Sequence, residues 1–399
     1  MSEIIRSIFE EYENKNDEIS IQELKDKIAL YLDKIVFYGA GSAGIALFHY
    51  LNDVGIRIKY FSDGNPSKWG KTCEGIEIID YHKINEMIGE DALVVITINT
   101  DGKKYCKSFD EALRIGGHGG VYSNLHNCGC KNVIDYTFFY TCRELFKNDK
   151  YNLPSCPDVR CMVKHKEDII RAYDLLIDED SRVVFQQILR FRLLDVNTIV
   201  PTEPQDRQYF DYEDFWEKCE NEVFIDCGAY DGISLKAFLL NNKNFKKYIG
   251  FEPDISNYTR LKEYIGSLSG EIQGKIKIYP YAMWNDIGEG KFYELSGPGS
   301  FVADGGKTVV PFNTIDNILN GECATYVKMN IEGSELKALE GAEGLIREYS
   351  PRLAIAGYHK TWDLWEIPLK IKAYNSRYKF KLKSYMNHLS FIYYGRIYD

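Results

Sequence analysis

A glycine-containing turn in the second half of the chain carries residue types that suit the binding of a nucleoside. The segment VFIDCGAYDG reads as an apolar strand ending at Asp226, with Gly228, Tyr230 and Gly232 leading into a helix. Glycine lets the backbone pass close to a ligand at such a turn. The pattern is D-x-G-x-x-x-G, and an acid at the strand end suits a cationic or hydroxyl-bearing ligand better than a phosphate.

A second acid, Glu252, ends the next predicted strand, KYIGFEP. A carboxylate at the end of the second strand can accept hydrogen bonds from both hydroxyls of a ribose. Together with the turn at Asp226, this acid predicts a pocket for S-adenosylmethionine. The alternative is a tight turn followed by an acid in solvent.

Two titratable residues follow later strands in the same half of the chain. Glu332 comes after the strand ATYVKMN, and His359 follows RLAIAGY directly. Because the carboxyl ends of parallel strands meet at one edge of a sheet, both side chains can reach an acceptor hydroxyl beside the cofactor. They are therefore candidates for a catalytic base. Glu332 could equally cap the following helix, and His359 could be an ordinary loop residue.

The first half of the chain carries a different glycine motif. Gly39, Gly41 and Gly44 form G-A-G-S-A-G after a strand and at the start of a helix, and Asp63 ends the second strand. This context predicts a second nucleotide site, for NAD(H) or a nucleotide sugar. A hydride-transfer pair of the Tyr-x-x-x-Lys type is not evident in the right place. A substrate-presenting domain and a purely structural one both stay open.

Five cysteines lie close together in the sequence: Cys128, Cys130, Cys142, Cys156 and Cys161. Such a cluster could supply thiolates to zinc or to an iron–sulfur centre. Their spacing contains no C-x2-C pair. We therefore expect ordinary packing and no metal.

The order of predicted elements indicates an α/β protein with two Rossmann-like domains. We predict a nucleotide-binding domain over residues 1–130, a helical connector over 131–220 and a second Rossmann-like domain over 221–399. The connector contains long helical patterns and the Pro-containing linker VPTEPQDRQYF.

The composition narrows the partners that the protein can have. Of the 399 residues, 49 are Lys or Arg and 59 are Asp or Glu, which gives a net charge of −10. This charge disfavours nucleic acid and anionic membranes as partners. No stretch is long and apolar enough to span a membrane, and the N-terminus does not resemble a secretory signal. We expect a cytoplasmic protein with a small-molecule or glycan substrate, and a homo-oligomer stays open.

Several motifs in order resemble the FkbM-type S-adenosylmethionine-dependent methyltransferases, over roughly residues 165 to 395. They are VFIDCGAYDG, FEPD, YAMW, NTIDNIL, YVKMNIEGSELKALEGA and PRLAIAGYHKTWDLWEIP. The resemblance implies that residues 221–399 form a class I methyltransferase domain. It also implies methyl transfer, usually to a hydroxyl of a sugar or natural product. It implies cofactor-binding roles for Asp226, Gly228 and Glu252, and it places Ala282 and Trp284 beside the adenine.

The chain departs from the family pattern at two places. Asn330 stands where the family usually has an acid, which removes a carboxylate that a catalytic divalent cation would use. Lys383, Ser384 and Tyr385 stand in place of an Arg-His-Tyr run. A histidine base is therefore lacking at that second place.

These observations lead to one main hypothesis and two alternatives. The main hypothesis is O-methylation of a sugar or glycan hydroxyl in bacterial surface polysaccharide biosynthesis. The first alternative is a nucleotide-sensing or scaffold protein with a non-catalytic methyltransferase fold. The second is an NAD-dependent oxidoreductase with an appended domain.

Overall fold

A computed structural model gives the fold in two compact units. The first unit comprises Glu10–Val163 and Arg192–Asn197, and the second comprises Met1–Phe9, Lys164–Phe191 and Thr198–Asp399. The residues that the structure describes are 2–14, 19–98, 108–116, 119–149, 151, 158–194, 198–210, 221–242, 244–294, 299–302, 306–386 and 390–398.

The first unit is built on a six-stranded sheet with the order β3-β4-β2-β1-β5-β6. All neighbours in it pair in parallel except β3 and β4, which pair antiparallel. The strands are β1 (Ile35–Tyr38), β2 (Tyr60–Asp63), β3 (Thr72–Cys73), β4 (Ile76–Asp80), β5 (Leu93–Ile96) and β6 (Asn132–Asp135). The helices, from the start of the chain, are α1 (Glu3–Glu13), α2 (Ile21–Lys27), α3 (Ser42–Asp53), α4 (Ile84–Ile88), α5 (Phe109–Ile115), α6 (Gly119–Asn127) and α7 (Val159–Lys164). The part of α1 up to Phe9 belongs to the second unit.

The second unit contains a seven-stranded sheet and a smaller four-stranded one. Their orders are β16-β17-β15-β14-β7-β8-β9 and β10-β13-β11-β12. The strands are β7 (Val223–Cys227), β8 (Lys247–Phe251), β9 (Ile276–Tyr279), β10 (Ala282–Met283), β11 (Gly288–Tyr293), β12 (Phe301–Val302), β13 (Thr308–Asn313), β14 (Tyr326–Met329), β15 (Arg352–Ala356), β16 (Lys379–Ser384) and β17 (Phe391–Arg396). The helices are α8 (Lys166–Asp174), α9 (Glu179–Leu193), α10 (Ile233–Asn241), α11 (Ile255–Gly266), α12 (Gly270–Gln273), α13 (Ile315–Leu319), α14 (Glu335–Glu340), α15 (Glu343–Tyr349) and α16 (Asp363–Tyr374).

Short 3₁₀ helices complete the described elements. They are Ala29–Tyr31, Pro66–Lys68, Tyr81–Lys83, Tyr136–Thr141, Arg143–Asp149 and Gln205–Arg207. The predicted α/β class is confirmed by this alternation of strands and helices around mainly parallel sheets.

The central strands are buried along their whole length. Every residue of β1 and β5, and every residue of β7 and β14, is buried. Helices and loops cover both faces of such parallel sheets, so their strands read as continuous apolar runs. This is why these strands could be recognised in the sequence.

The chain changes direction across the large sheet between β7 and β14. β8 follows β7 on one side, and β14 pairs with β7 on the other side. Ligands of open α/β sheets bind at such a switch point, outside the carboxyl ends of the strands. The same rule applies in the first unit between β1 and β5.

The structure divides the predicted connector 131–220 between the two units. β6 pairs in parallel with β5, so the first sheet continues beyond the predicted boundary at residue 130. The aromatic residues after it, including Phe138 and Phe139, pack in the core of the first unit. α8 packs against α16 and therefore belongs to the second unit. The start of α1 belongs to the same unit, and its Arg6 forms an ion pair with Glu167. A four-residue strand is too short a signal to reveal this boundary.

The segment IKIYPYAMW forms two strands that belong to different sheets. β9 ends at Tyr279, and β10 pairs with β13 in the smaller sheet. Pro280 lies between them and lacks the N–H that would continue the first ladder. Within the described ranges, every helix is too short or too polar to cross a membrane.

Candidate active site

A cavity of about 490 Å³ lies at the carboxyl ends of the central strands of the second unit. Its walls come from the turn after β7, the ends of β8 and β14, the residues around β10, and the segment 205–210. This volume is in the range of small-molecule and cofactor sites. The cavity therefore lies where the strand order places a ligand.

The turn after β7 is shaped by backbone positions that few residues can adopt. Gly228 has φ +83°, and a Cβ on it would collide with the backbone oxygen of Asn330. Tyr230 has φ +51° and donates its N–H to Glu252 Oε2 at 2.9 Å. Gly232, at φ +93°, is the N-cap of α10. The turn is thereby joined to the end of β8.

Asp226 lies beneath the turn and not on the cavity wall. Its Oδ1 accepts from Lys328 Nζ at 2.9 Å, and its Oδ2 accepts from Tyr248 Oη at 2.7 Å and from the Ser234 hydroxyl. The residue is fully buried. Asp226 was predicted to contact the cofactor, but it is not one of the described residues that line the cavity. Burial requires partners for the charge, and the sequence did not show that these partners converge on it.

Lys328 connects the buried acid to the turn. Its ammonium also donates to the carbonyl oxygen of Gly228 at 2.7 Å, and Lys328 lines the cavity. In its ion pair with Asp226, the side chain of Lys328 is 4% exposed and that of Asp226 is fully buried. Asp226 therefore acts on the cavity through Lys328 and the glycine turn.

Glu252 lies on the cavity wall with part of its hydrogen-bonding capacity unused. Oε2 accepts from Tyr230 N, and Oε1 accepts from Asp254 N at 3.0 Å. Burial raises the pKa of Glu252 to about 7, although hydrogen bonds from Asp254, Tyr230 and Asn257 counteract this rise. The Asn257 amide also donates to Oε1, at 3.4 Å. An ionised carboxylate has about four acceptor positions, so about one is left for a ribose hydroxyl.

The two residues predicted beside the adenine lie in different places. Ala282, in β10, lines the cavity together with its neighbours Tyr281 and Met283. Trp284 stacks on Phe312 with ring centroids 4.9 Å apart and is not among the residues lining the cavity. The backbone N–H of Trp284 donates to the carbonyl oxygen of Asn313 in β13, a strand of the smaller sheet.

The candidate bases Glu332 and His359 are adjacent, but only Glu332 reaches the cavity. Glu332 lines it, with its side chain 29% exposed, and has φ +56°. The side chain of His359 is 2% exposed, and its Nε2 lies 3.6 Å from Glu332 Oε2. Its Nδ1 lies 2.9 Å from Glu335 Oε1. We expected the imidazole to reach the crevice, but in the structure it is buried behind Glu332, which lines the cavity.

The surroundings of His359 favour its protonated form. Burial alone would lower the pKa of His359, but the carboxylates of Glu335 and Glu332 outweigh it and raise the pKa well above the usual value. Burial would raise the pKa of Glu335, and the positive charge of His359 keeps it below the usual value. The pair is thus an imidazolium and a carboxylate near neutral pH.

Glu335 takes the capping role that the sequence left open for Glu332. Its two carboxylate oxygens accept from Ile331 N at 2.8 Å and from Gly333 N at 3.0 Å. Asp363 completes a buried group with Glu335 and His359, whose ligand atoms lie within 4.8 Å of one another. Burial raises the pKa of Asp363 to about 8. Glu335 and Asp363 were not among the residues predicted from the sequence, because no local pattern shows that they are buried beside His359.

The two departures from the family pattern have different surroundings. Asn330 lines the cavity, and its Oδ1 accepts from Tyr358 Oη at 3.1 Å. Ser384 is fully buried at the end of β16, and the hydroxyls of Tyr385 and Tyr394 lie 2.6 Å apart. The second departure is therefore part of the core.

The glycine motif of the first unit is closely packed at two of its three positions. A Cβ on Gly39 would collide with Ile98, and one on Gly44 would collide with the backbone oxygen of Gly39. A Cβ on Gly41 would meet nothing within 4 Å. Gly39 and Gly44 therefore serve the packing of helix on strand, whereas Gly41 leaves room for a ligand.

Asp63 lies beside this motif, but its carboxylate is already engaged. It accepts from Ala40 N at 3.1 Å, from Lys68 Nζ at 2.8 Å and from Asn65 N at 2.9 Å. Burial would raise the pKa of Asp63, and these donors together lower it. The structure thus brings Asp63 close to the glycine motif, but three donors within the protein already bind its carboxylate.

The clustered cysteines lie partly outside the described residues, since Cys156 is one of the residues not described. Cys130 and Cys142 are buried, and Cys128 and Cys161 are partly buried. Burial raises the pKa of the Cys130 thiol to about 11, which keeps it protonated at neutral pH.

Comparison with known families identifies the class of this protein. Residues 226–382 match the model of the Methyltransferase FkbM domain. The second unit therefore carries an FkbM methyltransferase domain, and the protein is an S-adenosylmethionine-dependent methyltransferase. A comparison with curated proteins gives no match.

Solved structures with a similar chain trace include other methyltransferases. The crystal structure of Methyltransferase FkbM from Methylobacillus flagellatus KT is 19% identical, with 98% of this chain and 99% of that chain covered and a TM-score of 0.62. This likeness shows a shared fold. An rRNA methylase from Streptococcus thermophilus is 13% identical, with 45% of this chain and 89% of that chain covered. Its TM-score of 0.31 is too low to show a shared fold.

Proposed function

We propose that the second unit transfers a methyl group from S-adenosylmethionine to a hydroxyl of a sugar or glycan, in bacterial surface polysaccharide biosynthesis. The observation that carries this proposal is the arrangement of one cavity. It places Glu252, the Gly228 turn and the carboxylate of Glu332 over the ends of β8, β7 and β14.

The cavity suits this cofactor in size and in charge. Glu252 offers an acceptor for a ribose hydroxyl, and the glycine turn lets the ligand lie close to the backbone. Three acidic side chains on the wall, Asp206, Glu252 and Glu332, favour a cationic ligand. When bound, S-adenosylmethionine supplies a methyl group on a cationic sulfur, and the acceptor oxygen takes it as the carbon–sulfur bond breaks.

We assign Glu332 as the group that accepts the hydroxyl proton. It is the carboxylate on the cavity wall at the end of β14. The hydroxyl becomes much more acidic as its oxygen bonds to the methyl carbon, so a carboxylate is a sufficient base. Most of the acceleration then comes from alignment of the reacting atoms, to which proton removal adds about 10²–10⁴.

His359 is a positioning residue in this proposal. Its imidazolium contacts the Glu332 carboxylate on one side and Glu335 on the other. Glu332 has a left-handed backbone conformation that few residues adopt, and an ion pair behind it fixes its side chain. A protonated imidazole cannot itself accept a proton.

The lining fits an acceptor with both hydroxyls and apolar faces. Gln205 and Gln208 offer amide groups, and Tyr281 and Phe301 offer aromatic faces. Sugars present hydroxyl edges and apolar faces of this kind, and aromatic side chains pack against the latter. The nature of the lining supports a carbohydrate acceptor.

The test is methyl transfer by the purified full chain. We expect label from methyl-labelled S-adenosylmethionine to enter a sugar nucleotide or oligosaccharide from a panel, with a mass increase of one methyl group on a hydroxyl. The matched control is Glu332→Gln, which keeps the size of the side chain. Cofactor binding without transfer to any member of the panel would favour the non-catalytic scaffold.

The first unit carries a second candidate function, the binding of a nucleotide or nucleotide sugar. The open space at Gly41, at the switch point of the first sheet, favours it. Gly39, Gly44 and Asp63 would form the packed base of that site. A thermal shift of the full chain with NAD(H) or nucleotide sugars, lost in Gly41→Val, is the expected result. No shift with any of them would leave this unit a structural role.

A further inference from the structure

We propose that the acceptor sugar enters the cavity as part of a glycan and without a phosphate group, so that methyl transfer follows glycosyl transfer. The proposal rests on the proposed function and narrows its acceptor to a sugar in a glycan, as opposed to a nucleotide sugar. Two features of the cavity carry it: the charges of its wall, and the carboxylates that cap the helices beginning beside it.

The charges of the wall do not suit a phosphate. Among the described residues, the charged side chains that line the cavity are three acids, Asp206, Glu252 and Glu332, and one cation, Lys328. No arginine or histidine of the described ranges lines it. Proteins bind phosphates mainly through arginine and lysine side chains and through backbone N–H groups. A phosphate in this cavity would therefore meet more negative than positive side chains.

The cations at the cavity have partners within the protein. Lys328 Nζ donates to Asp226 Oδ1 at 2.9 Å and to two backbone carbonyl oxygens at 2.7 and 3.4 Å, which engages its three protons. Arg260 is not a lining residue, and it donates to Asn257, whose amide donates to Glu252. Arg260 therefore lies at the ribose end of the cavity and not at the acceptor.

Three helices begin beside the cavity, and a carboxylate of the protein already lies at each of these N-termini. In α10 the first backbone N–H donates to Asp231 at 3.2 Å, and in α11 two N–H groups of the first turn donate to Asp254 at 3.0 and 3.2 Å. Glu335, at the start of α14, accepts from two backbone N–H groups before it, at 2.8 and 3.0 Å. A helix N-terminus attracts phosphate when its N–H groups are free, and a carboxylate placed there repels it.

The open side of the cavity is where the rest of the acceptor extends. Of the lining residues, Gln205, Asp206 and Ile233 are exposed. Arg207, next to Asp206, does not line the cavity. The group on the anomeric carbon of the acceptor sugar passes these exposed residues on its way to solvent. In a nucleotide sugar this group is a diphosphate facing the Asp206 carboxylate, whereas in a glycan it is a second sugar, to which Gln205 offers an amide and Ile233 an apolar contact.

Glycosyl transfer from a nucleotide sugar is the class of reaction that must supply such an acceptor. In that reaction a hydroxyl oxygen of the glycan bonds to the anomeric carbon, the bond from this carbon to the diphosphate breaks, and the hydroxyl proton passes to a base as the nucleoside diphosphate leaves. The phosphate is thus removed before the sugar reaches this cavity. Methyl transfer then bonds the acceptor oxygen to the methyl carbon, breaks the carbon–sulfur bond and leaves the hydroxyl proton on Glu332.

The experiment compares acceptors that share one sugar and differ in the group on the anomeric carbon. Glucose, galactose and N-acetylglucosamine are each offered to the full chain as the methyl α-glycoside, the α-1-phosphate and the uridine diphosphate derivative, with methyl-labelled S-adenosylmethionine. We expect kcat/KM of the glycoside to exceed that of both phosphate-bearing forms by about a hundredfold. This ratio should fall as the salt concentration rises, because dissolved ions screen the repulsion.

Two variants test the source of the discrimination. Asp206→Asn removes one charge at the open side and keeps the size of the side chain, so the ratio of the kcat/KM values should fall about tenfold. The matched control Asp180→Asn, at an exposed position of α9 outside the cavity wall, should leave the ratio unchanged. Methylation of a phosphate-bearing form as efficient as that of its glycoside overturns the proposal, and so does a ratio that neither salt nor Asp206→Asn alters. Absence of transfer to every form of every sugar contradicts the proposed function instead.

Discussion

The turn after β1 in the first unit and the turn after β7 in the second both join the first strand of a parallel sheet to a helix. In the first unit the acid at the end of the second strand, Asp63, is engaged by Lys68 and by two backbone donors. In the second unit the equivalent acid, Glu252, faces a cavity of about 490 Å³. Glu252 accepts from Tyr230 N, Asp254 N and the Asn257 amide, and the lysine of this site, Lys328, pairs with the buried Asp226 instead.

This difference shows that a glycine turn and a strand-end acid do not by themselves define a ligand site. Both acids accept three hydrogen bonds, but Asp63 pairs with a lysine whereas Glu252 lines a cavity. This difference also explains why the turn of the second unit, although it departs from G-x-G-x-x-G, has the more complete site.

The largest effect should come from the acid that we place at the reacting hydroxyl. Glu332→Gln removes the proton acceptor and should lower kcat about 10²–10⁴, while the affinity for S-adenosylhomocysteine stays nearly unchanged. Single-turnover methyl transfer and calorimetry measure the two quantities. Full turnover in Glu332→Gln would show that the proton leaves by another route.

The next effect tests whether the second unit depends on its buried ion pair. His359→Gln leaves Glu335 buried without its cation, which should cost about 3–5 kcal/mol of unfolding free energy at pH 6. Because the pKa of His359 is raised, its stabilisation is fully present below about pH 6.5 and is lost as the pH rises through the raised value. The gap between the variant and the unaltered protein in urea unfolding should therefore narrow at high pH.

The matched control for this variant is His126→Gln, at an exposed position of α6 in the first unit. Its unfolding free energy should change by less than about 0.5 kcal/mol at any pH. A pH-independent loss in His359→Gln would mean that the residue contributes packing and not charge.

The two strand-end acids can be compared directly. Glu252→Ala should weaken S-adenosylhomocysteine by about 2–3 kcal/mol, because a charged acceptor of ribose hydroxyls is lost. Asp63→Ala, the corresponding change in the first unit, should leave this affinity unchanged. Calorimetric titration of both variants is the measurement. Equal affinities of the two variants for S-adenosylhomocysteine would show that Glu252 contributes no more to its binding than Asp63 does.

A smaller effect follows from the pKa of Glu252, which burial raises to about 7. Below this pH the carboxyl is protonated and loses acceptor positions, so the affinity for S-adenosylhomocysteine should rise between pH 6 and pH 8, by about tenfold at most. The rise should vanish in Glu252→Gln. A flat profile in the unaltered protein would indicate that Glu252 is ionised throughout.

The smallest expected effect is that of a chelator. Glu335, His359 and Asp363 lie close enough to share a metal ion, but the imidazolium already balances the charge of Glu335. A metal would require neutral histidine. We expect turnover to be unchanged by EDTA. Loss of activity that magnesium restores would assign a metal to this group.

Much of the arrangement of the site could be predicted from local sequence. Apolar runs identified β7 and β8, and the acid after β8 lies on the cavity wall as its spacing predicted. The positions of Asp226 and Trp284 could not be predicted. Their side chains are directed by partners far away in the sequence, such as Lys328 for Asp226 and Phe312 for Trp284.

The sequence by itself determined the central strands, the glycine turns and the family, because runs of buried residues, positive-φ glycines and strand-end acids depend on neighbours along the chain. Only the tertiary structure decided which acids face the cavity. It buried His359 between two carboxylates and brought Tyr209, from a segment read as a linker, against Lys328. Charge and burial at these positions arise from contacts between residues more than a hundred positions apart or from separate strands, and no local pattern records them.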